Sequence, residues 1–265
     1  MNDSDDDALL DLARGLAAAA RAVSLRHFRQ PFAVDAKSDA SPVTIADRDA
    51  ETAMRRLLAE RVPAHGILGE EHGGERTGAD HVWVLDPIDG TRAFITGVPV
   101  WGTLIALVRD GRPVIGIIDH PALGERWIGV AGRPTLHERD GGDAVPVRTR
   151  PCGGLATASL FATAPEMFAD PADFAAFRRV ADRARYTRYG TDCLAYGLIA
   201  SGHADIAVEG GMKPYDFCSH VPVLEGAGGV ISDWRGRPLG LASDGRVLAA
   251  GDAALHREAV AALAD

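Results

Sequence analysis

The stretch from Trp83 to Thr91, which reads Trp-Val-Leu-Asp-Pro-Ile-Asp-Gly-Thr, constrains the fold of this chain more than any other. A short apolar run here ends in two carboxylates three positions apart, Asp86 and Asp89. The run predicts a strand, and ligands in layered α/β folds lie at strand ends. Carboxylates gathered at such an end are hard oxygen donors that suit Mg²⁺. Ordinary turn chemistry is the alternative, since Asp-Pro and Asp-Gly are common in turns.

The residues that follow predict an anion site beside these carboxylates. The chain continues as Gly90-Thr91-Arg92, which looks like the start of a helix. Gly90 lets the backbone approach a ligand closely, and the N–H groups around it would point at whatever lies above the helix start.

Three further acidic residues could belong to the same site. Glu70 follows a short apolar run, Asp47 lies inside a predicted helix, and Asp216 stands near the start of another. Each also has an ordinary explanation. Glu70 could be solvated charge, Asp47 an exposed helix carboxylate and Asp216 an N-cap. No single one of them establishes a site.

The spacing of apolar residues changes along the chain. Helical spacing predicts helices over residues 8–28 and 45–61, the second with Thr44 as its N-cap. Strand-like runs follow at 67–68, 82–85, 104–108, 114–118 and 127–130, the last three as an antiparallel meander. Later, predicted strands (155–159, 205–208, 229–231, 246–250) alternate with predicted helices (171–183, 191–201, 217–227, 253–264). Such alternation predicts layered α/β packing.

A length of 265 residues allows one large domain or two closely packed ones. Residues 131–153 are rich in Gly, Pro and charge, which makes them the predicted boundary. We therefore expect an N-terminal α+β part over residues 1–135 and a C-terminal α/β part over residues 150–265.

The charge balance narrows the choice of partners. The chain has 28 Lys and Arg against 37 Asp and Glu, a net charge of −9. A negative surface repels phosphodiester backbones, so no nucleic-acid partner is expected. No membrane association is expected either, because no stretch approaches the ~20 apolar residues of a membrane span.

The three cysteines form no C-x-x-C pair, as in reduced cytoplasmic proteins, and the acidic start is unlike a signal peptide. We expect a cytoplasmic location.

Together, the acidic motifs resemble those of the inositol monophosphatase superfamily of Mg²⁺-dependent phosphatases. The resemblance spans about residues 37–240 and rests on five segments in the family's order: Ser41–Asp47, Glu70, Asp86–Thr91, Tyr215-Asp216 and Glu225–Gly229. It implies the family's α+β / α/β fold, a sandwich of alternating αβαβα layers with the active site between the two parts. It also implies a homodimer.

The resemblance implies a role for each candidate residue. Two or three Mg²⁺ ions would be bound by four carboxylates and one main-chain carbonyl, those of Glu70, Asp86, Asp89, Asp216 and Ile88. Asp47, Thr91 and Glu70 would be catalytic, with Asp47 accepting the Thr91 hydroxyl proton and Thr91 orienting a water that the cation activates. The amides of Gly90 and Thr91 would hold phosphate oxygens, and Lys37 would lie near a metal.

The residues around the Asp86–Thr91 segment resemble one branch of the superfamily, the histidinol-phosphate phosphatases. Inositol-specific members typically have Thr-Asn-Phe where this chain has Arg92-Ala93-Phe94, and tryptophan at the position of Tyr215. The resemblance therefore implies hydrolysis of L-histidinol phosphate in histidine biosynthesis. The ammonium and imidazole of that substrate need carboxylates, for which Asp192 and Glu209 are the candidates. Arg92 would contact the substrate or pair with a carboxylate.

Two alternatives remain open. The first is the same chemistry on an inositol phosphate or another sugar phosphate. The second is a non-catalytic scaffold that has kept the fold, although a simple phosphate binder has no use for an Asp47–Thr91 pair.

Overall fold

Two helices begin the chain. The computed structural model describes residues 3–31, 34–36 and 42–264. Helix α1 spans Asp3–His27, and helix α2 spans Ile45–Arg61 with the predicted bounds. Thr44 caps α2 as predicted, because its hydroxyl accepts a hydrogen bond from the Ala46 N–H at 3.1 Å. Between α1 and α2, strands β1 (Val34–Ala36) and β2 (Pro42–Thr44) form an antiparallel pair.

A large sheet follows, with eight strands within the described part of the chain. In chain order they are β3 (Gly66–Gly69), β4 (Gly73–Glu75), β5 (His81–Asp89), β6 (Gly102–Arg109), β7 (Arg112–His120), β8 (Glu125–Val130), β9 (Leu136–Arg139) and β10 (Val145–Pro146). Strands β5 to β10 form an antiparallel meander, and β3 lies parallel to β5. The predicted meander is confirmed, but β9 and β10 lie inside residues 131–153, where no strand was predicted.

A smaller sheet of five strands forms within the described later residues. Its strands are β11 (Ser159–Ala162), β12 (Tyr186–Tyr189), β13 (Ile206–Glu209), β14 (Val230–Ser232) and β15 (Val247–Ala250), in the spatial order β12-β11-β13-β15-β14. The remaining helices are α3 (Thr91–Thr96), α4 (Pro171–Ala181), α5 (Leu194–Ala200), α6 (Pro214–Phe217), α7 (His220–Gly226) and α8 (Ala253–Ala264). The strand predicted at 155–159 is wrong for most of its length, since Leu155–Thr157 is a 3-10 turn.

The packing of these elements gives five layers. Along β5, Trp83 and Leu85 pack with α1 and α2, whereas Val82 and Val84 face the opposite way and pack with α5 and α7. The small sheet contacts the α5/α7 layer with one face and packs its other face against α4 and α8 around Phe177. The layers therefore run α1/α2, large sheet, α5/α7, small sheet, α4/α8. The αβαβα sandwich is confirmed.

Candidate active site

Strand β5 loses its regular pairing at the two aspartates. Its register with β6 shifts between Asp86 and Asp89. At this break the Asp86 carboxylate accepts a hydrogen bond from the Ile88 N–H at 3.0 Å, and the Thr103 hydroxyl donates to the Pro87 carbonyl at 2.8 Å. A bulge of this kind re-aims side chains, so two residues of one strand can serve one site.

Carboxylates from three parts of the chain converge beyond this strand end. Asp86, Asp89 and Asp216 each offer one oxygen, and these oxygens lie within 4.8 Å of one another. Asp216 comes from α6, where its carboxylate accepts the Lys213 N–H at 2.6 Å. Glu70 follows β3, and its side chain is hydrogen-bonded to Asp86. The four predicted metal-ligand carboxylates therefore share one site.

Burial and mutual repulsion oppose the ionisation of these groups. The pKa of Asp86 is raised well above its usual value by burial and then by the charges of Glu70, Asp89 and Asp216. The pKa of Asp89 is raised to about 7 by burial and by the charge of Asp192. A set of carboxyls that repel one another is one that a divalent cation would neutralise. The donor set therefore fits a metal, and all-oxygen ligands suit Mg²⁺.

Asp47 is buried and held by its own helix cap. Its Oδ2 accepts hydrogen bonds from the Thr44 N–H at 2.8 Å and the Thr44 hydroxyl at 2.5 Å. Its Oδ1 is buried and has no hydrogen-bond partner among the described residues. Burial raises the pKa of Asp47, and the nearby charge of Glu70 adds to this effect.

The predicted bond between Thr91 and Asp47 is not among the hydrogen bonds that the described residues make. The Thr91 hydroxyl instead donates to the Ile88 carbonyl at 3.2 Å. The reason is local, because a threonine on the first turn of α3 finds a carbonyl three residues back within reach. Among the described residues, Asp47 Oδ1 therefore remains an acceptor without a hydrogen-bond partner.

Asp192 lies against the start of α3. A Cβ on Gly90 would lie 2.9 Å from Asp192 Oδ2, and Gly90 has a φ of 79°, so both space and backbone favour glycine here. Asp192 itself has a φ of 44°, which is uncommon for a residue with a side chain. Burial raises the pKa of Asp192 to about 6, and the charge of Arg92 lowers it. Arg92 is therefore close to a carboxylate, one of the two arrangements predicted for it.

Glu209 is a buried carboxyl at the end of β13. Its Oε1 accepts hydrogen bonds from the N–H and the hydroxyl of Thr163, at 2.6 Å and 2.9 Å. Its Oε2 is buried and lacks a partner among the residues that the structure describes. Burial raises the pKa of Glu209 to about 8, with added repulsion from Asp89 and Asp192. Glu209 therefore belongs to the same acidic site, whereas Lys37 lies outside the described residues.

Known proteins that are similar to this chain identify its family. The family model described as the inositol monophosphatase family matches residues 5–265. The chain belongs to this family. It is 45% identical over 272 residues to the bifunctional phosphatase IMPL2, chloroplastic, of Arabidopsis thaliana, covering 99% of this chain and 77% of that protein. It is 35% identical over 255 residues to a histidinol-phosphatase of Chlorobaculum parvum, covering 96% of each.

Solved structures give the same relationship. The structure of an inositol monophosphatase from Zymomonas mobilis superposes with a TM-score of 0.88 at 45% identity, over the full length of both chains. As a member of the inositol monophosphatase family, this chain is an enzyme of a phosphatase family that generally depends on Mg²⁺ and acts on small phosphate esters. None of its described helices has both the length and the apolar character needed to cross a bilayer.

The sequence patterns did not reveal the residues that hold this family's acidic site in place. Cys193 donates its N–H to Asp89 Oδ2 at 2.9 Å, and its thiol lies 3.7 Å from Nε2 of the buried His120. The His120 Nδ1 lies 3.0 Å from the Trp101 carbonyl, so that nitrogen carries the proton. Glu51 also accepts hydrogen bonds from backbone N–H groups, those of Glu71 and His72 in the turn after Glu70. These contacts could not be predicted from the spacing of the histidines and cysteines in the sequence.

Proposed function

We propose that this chain is a Mg²⁺-dependent phosphomonoesterase that hydrolyses L-histidinol phosphate to L-histidinol and phosphate. The observation that supports this substrate is Glu209 Oε2, a buried acceptor without a described partner beside Asp89 and Asp192. A substrate cation would supply a hydrogen-bond donor to Oε2 and would favour the ionised form of this carboxyl. L-Histidinol phosphate carries an ammonium and an imidazole, whereas a neutral polyol offers hydroxyls without charge.

The acidic cluster would hold the cofactor. We infer that two or three Mg²⁺ ions are bound by Glu70, Asp86, Asp89, Asp216 and the carbonyl of Ile88. When bound, the cations supply Lewis acidity, which lowers the pKa of water and offsets the charge of the phosphate. Without them, a protein of net charge −9 would repel a phosphate ester.

Each remaining side chain has a part in this scheme. Thr44 holds one oxygen of Asp47, so that Oδ1 is free to accept a proton from the Thr91 hydroxyl. Thr91 would leave the Ile88 carbonyl and orient the attacking water, with Glu70 assisting. The amides of Gly90 and Thr91 would hold phosphate oxygens, as the family resemblance implies.

The other predicted residues would bind the rest of the substrate. Asp192 and Glu209 would hold its cationic groups, with Arg92 fixing the orientation of Asp192. The predicted place of Lys37 near a metal stays a prediction. The homodimer and the cytoplasmic location also remain predictions, and sedimentation of the purified protein tests the first.

An inositol phosphate is the second candidate substrate. It is favoured by the close superposition on an inositol monophosphatase from Zymomonas mobilis, at 45% identity. The two candidates differ in charge, because only L-histidinol phosphate brings a cation to the acidic side of the site.

Side-by-side kinetics distinguish the two substrates. We expect wild-type protein with Mg²⁺ to have a far higher kcat/KM for L-histidinol phosphate than for myo-inositol 1-phosphate, and none for either after chelation. Glu209→Gln removes the carboxyl that a bound cation would keep ionised, and it should lower kcat/KM for the cationic substrate by at least about tenfold, with a smaller effect on the inositol ester. Glu166→Gln, at an exposed position, is the matched control. A wild-type preference for the inositol ester would refute our choice.

A further inference from the structure

Glu51 is a buried carboxylate on α2 that the proposed reaction does not use. Glu51 is 0% exposed and lies four positions after Asp47, on the same face of the helix. Its Oε2 accepts the Glu71 N–H at 2.7 Å, and its Oε1 accepts the His72 N–H at 3.2 Å. These donors belong to the turn that carries Glu70.

The turn is pressed against this carboxylate. A Cβ on Gly69 would lie 2.0 Å from Glu51 Oε1, so a residue with a side chain could not occupy position 69 without displacing Glu51 or the turn. Glycine at position 69 is thus explained by the close approach of β3 to α2.

Arg55 binds both the Glu51 carboxylate and the turn. Its Nε donates to Glu51 Oε1 at 2.7 Å, and its guanidinium also donates to the Gly73 carbonyl. The Glu51 side chain is 0% exposed and that of Arg55 is 16% exposed. Glu51 and Arg55 therefore hydrogen-bond to residues 71–73, directly after Glu70, while Gly69, directly before it, lies against the Glu51 carboxylate.

We propose that Glu51 is a positioning residue for the metal site. It fixes the turn that presents Glu70. Because Glu51 and Asp47 lie on the same helix, the contact between Glu51 and the turn also sets the distance between Glu70 and Asp47. Hydrogen bonds from backbone N–H groups to a buried carboxylate are strong and directional, which suits this role. The inference rests on the proposed function, in which Glu70 is a metal ligand.

Metal binding without substrate tests the proposal. Mn²⁺ is titrated into the full-length, metal-free protein, and the free ion is followed by electron paramagnetic resonance. Loss of a residue that orients a ligand typically weakens metal binding by about tenfold to a hundredfold. We expect Glu51→Gln to raise the Mn²⁺ Kd by that factor and to raise the Mg²⁺ concentration for half-maximal activity in parallel, with kcat largely recovered at saturating Mg²⁺.

The same helix provides a matched control. Glu60 pairs with Arg56 at 3.2 Å over the same four-residue spacing, but both side chains are largely exposed. Glu60→Gln should change the Kd by less than about twofold, since exposed pairs contribute little. An Mn²⁺ Kd of Glu51→Gln equal to that of wild-type protein would overturn the proposal.

A double variant separates positioning from stability. Glu51→Gln leaves the Arg55 charge without its partner, so its melting temperature should fall. Replacing Arg55 as well, in Glu51→Gln/Arg55→Met, should restore most of the melting temperature but not the Mn²⁺ affinity. If affinity returned together with the melting temperature, Glu51 would be only structural and the proposal would fail.

Two further measurements complete the test. Glu70→Gln is the reference for a direct ligand: if it binds Mn²⁺ like wild-type protein, the proposed ligand set fails and this inference with it. If Glu70→Gln weakens binding and Glu51→Gln does not, only the inference fails. Should Glu51→Gln not fold, amide exchange in wild-type protein decides. The Glu71 and His72 amides should be as protected as those of β3, and rapid exchange would overturn the proposal.

Discussion

The two carboxylate oxygens of Asp47 have different surroundings. Oδ2 closes the start of α2 through Thr44, while Oδ1 is buried without a described partner. A buried acceptor left unsatisfied costs about 1–3 kcal/mol. The fold therefore keeps at this position an oxygen that a proton or a water in the reaction would satisfy.

Replacing this carboxylate tests its role as a proton acceptor. Asp47→Asn keeps an oxygen that can accept from Thr44, so the α2 cap should persist, but the amide cannot take a proton. We expect kcat to fall by about a hundredfold to ten-thousandfold, the contribution typical of general base catalysis. Stopped assays at saturating Mg²⁺ measure the loss, and Mn²⁺ titration should show binding close to wild-type.

The control for this variant is Asp49→Asn, on the same helix at an exposed position. Its kcat should equal that of wild-type protein. If Asp47→Asn retained full kcat, another group would have to accept the proton.

At the scale of residues, the carboxylates of the site were easier to predict than the residues that hold them in position. The convergence of Glu70 and Asp216 with the aspartates of β5 follows from motifs whose spacing is specific to a family. Glu51 was not predicted, because a glutamate one turn after Asp47 in an amphipathic helix looks like surface charge. Only the path of the turn after β3 shows that its carboxylate is covered.

At the scale of elements, local signals decided what could be predicted. The bounds of α2 were predicted correctly because a cap at Thr44 and a stop at Pro63 are encoded within a few residues. Strand β12 was missed because Tyr186–Tyr189 is an edge strand without a fully buried residue, so it carries no hydrophobic alternation. Strands β9 and β10 were missed since Gly-rich and charged flanks resemble a linker.

Packing between layers can reverse the usual preference of a helix for alanine over glycine. In α5, a Cβ on Gly197 would lie 2.6 Å from the Trp127 ring, whereas a Cβ on Gly15 in α1 would meet no atom within 4 Å. Gly15→Ala should therefore stabilise the protein by about 0.5–1 kcal/mol. Gly197→Ala should destabilise it by about 1–3 kcal/mol through overpacking.

Urea denaturation of the two glycine variants gives both values under the same conditions. Stabilisation by both substitutions would show that α5 can move away from the large sheet at little cost. That result would contradict the close packing of α5 on β8.

At the scale of the whole molecule, the acidic site draws on both predicted parts of the chain. Asp47, Glu70 and the β5 aspartates come from residues before 135, and Asp192, Glu209 and Asp216 from residues after 150. The αβαβα order could be predicted only through the family resemblance, because periodicity alone does not say which helices lie between two sheets. These acidic groups are therefore buried close to one another only when the whole chain is folded.

This concentration of charge predicts how stability depends on pH. Burial raises the pKa of Glu209 from 4.5 to about 8, so the folded state keeps a proton there that the unfolded state has released. Stability falls with rising pH wherever the folded state binds more protons, so this contribution is lost progressively up to about pH 8. His120 and His220, whose pKa values burial lowers to about 4 and about 3, act in the opposite direction only below their ordinary pKa of 6.5.

The comparison therefore belongs between pH 6.5 and pH 8, where these two histidines are neutral in the folded state and their remaining titration in the unfolded state is the same in both proteins. With metal removed by a chelator, we expect the melting temperature of wild-type protein to fall across this range. Glu209→Gln cannot titrate and should show a smaller fall, measured by calorimetry in buffers of equal ionic strength. An equal fall in both proteins would mean that Glu209 is already ionised at pH 6.5. Its Oε2 would then need a donor in the folded protein, and the argument for a cationic substrate would lose its basis.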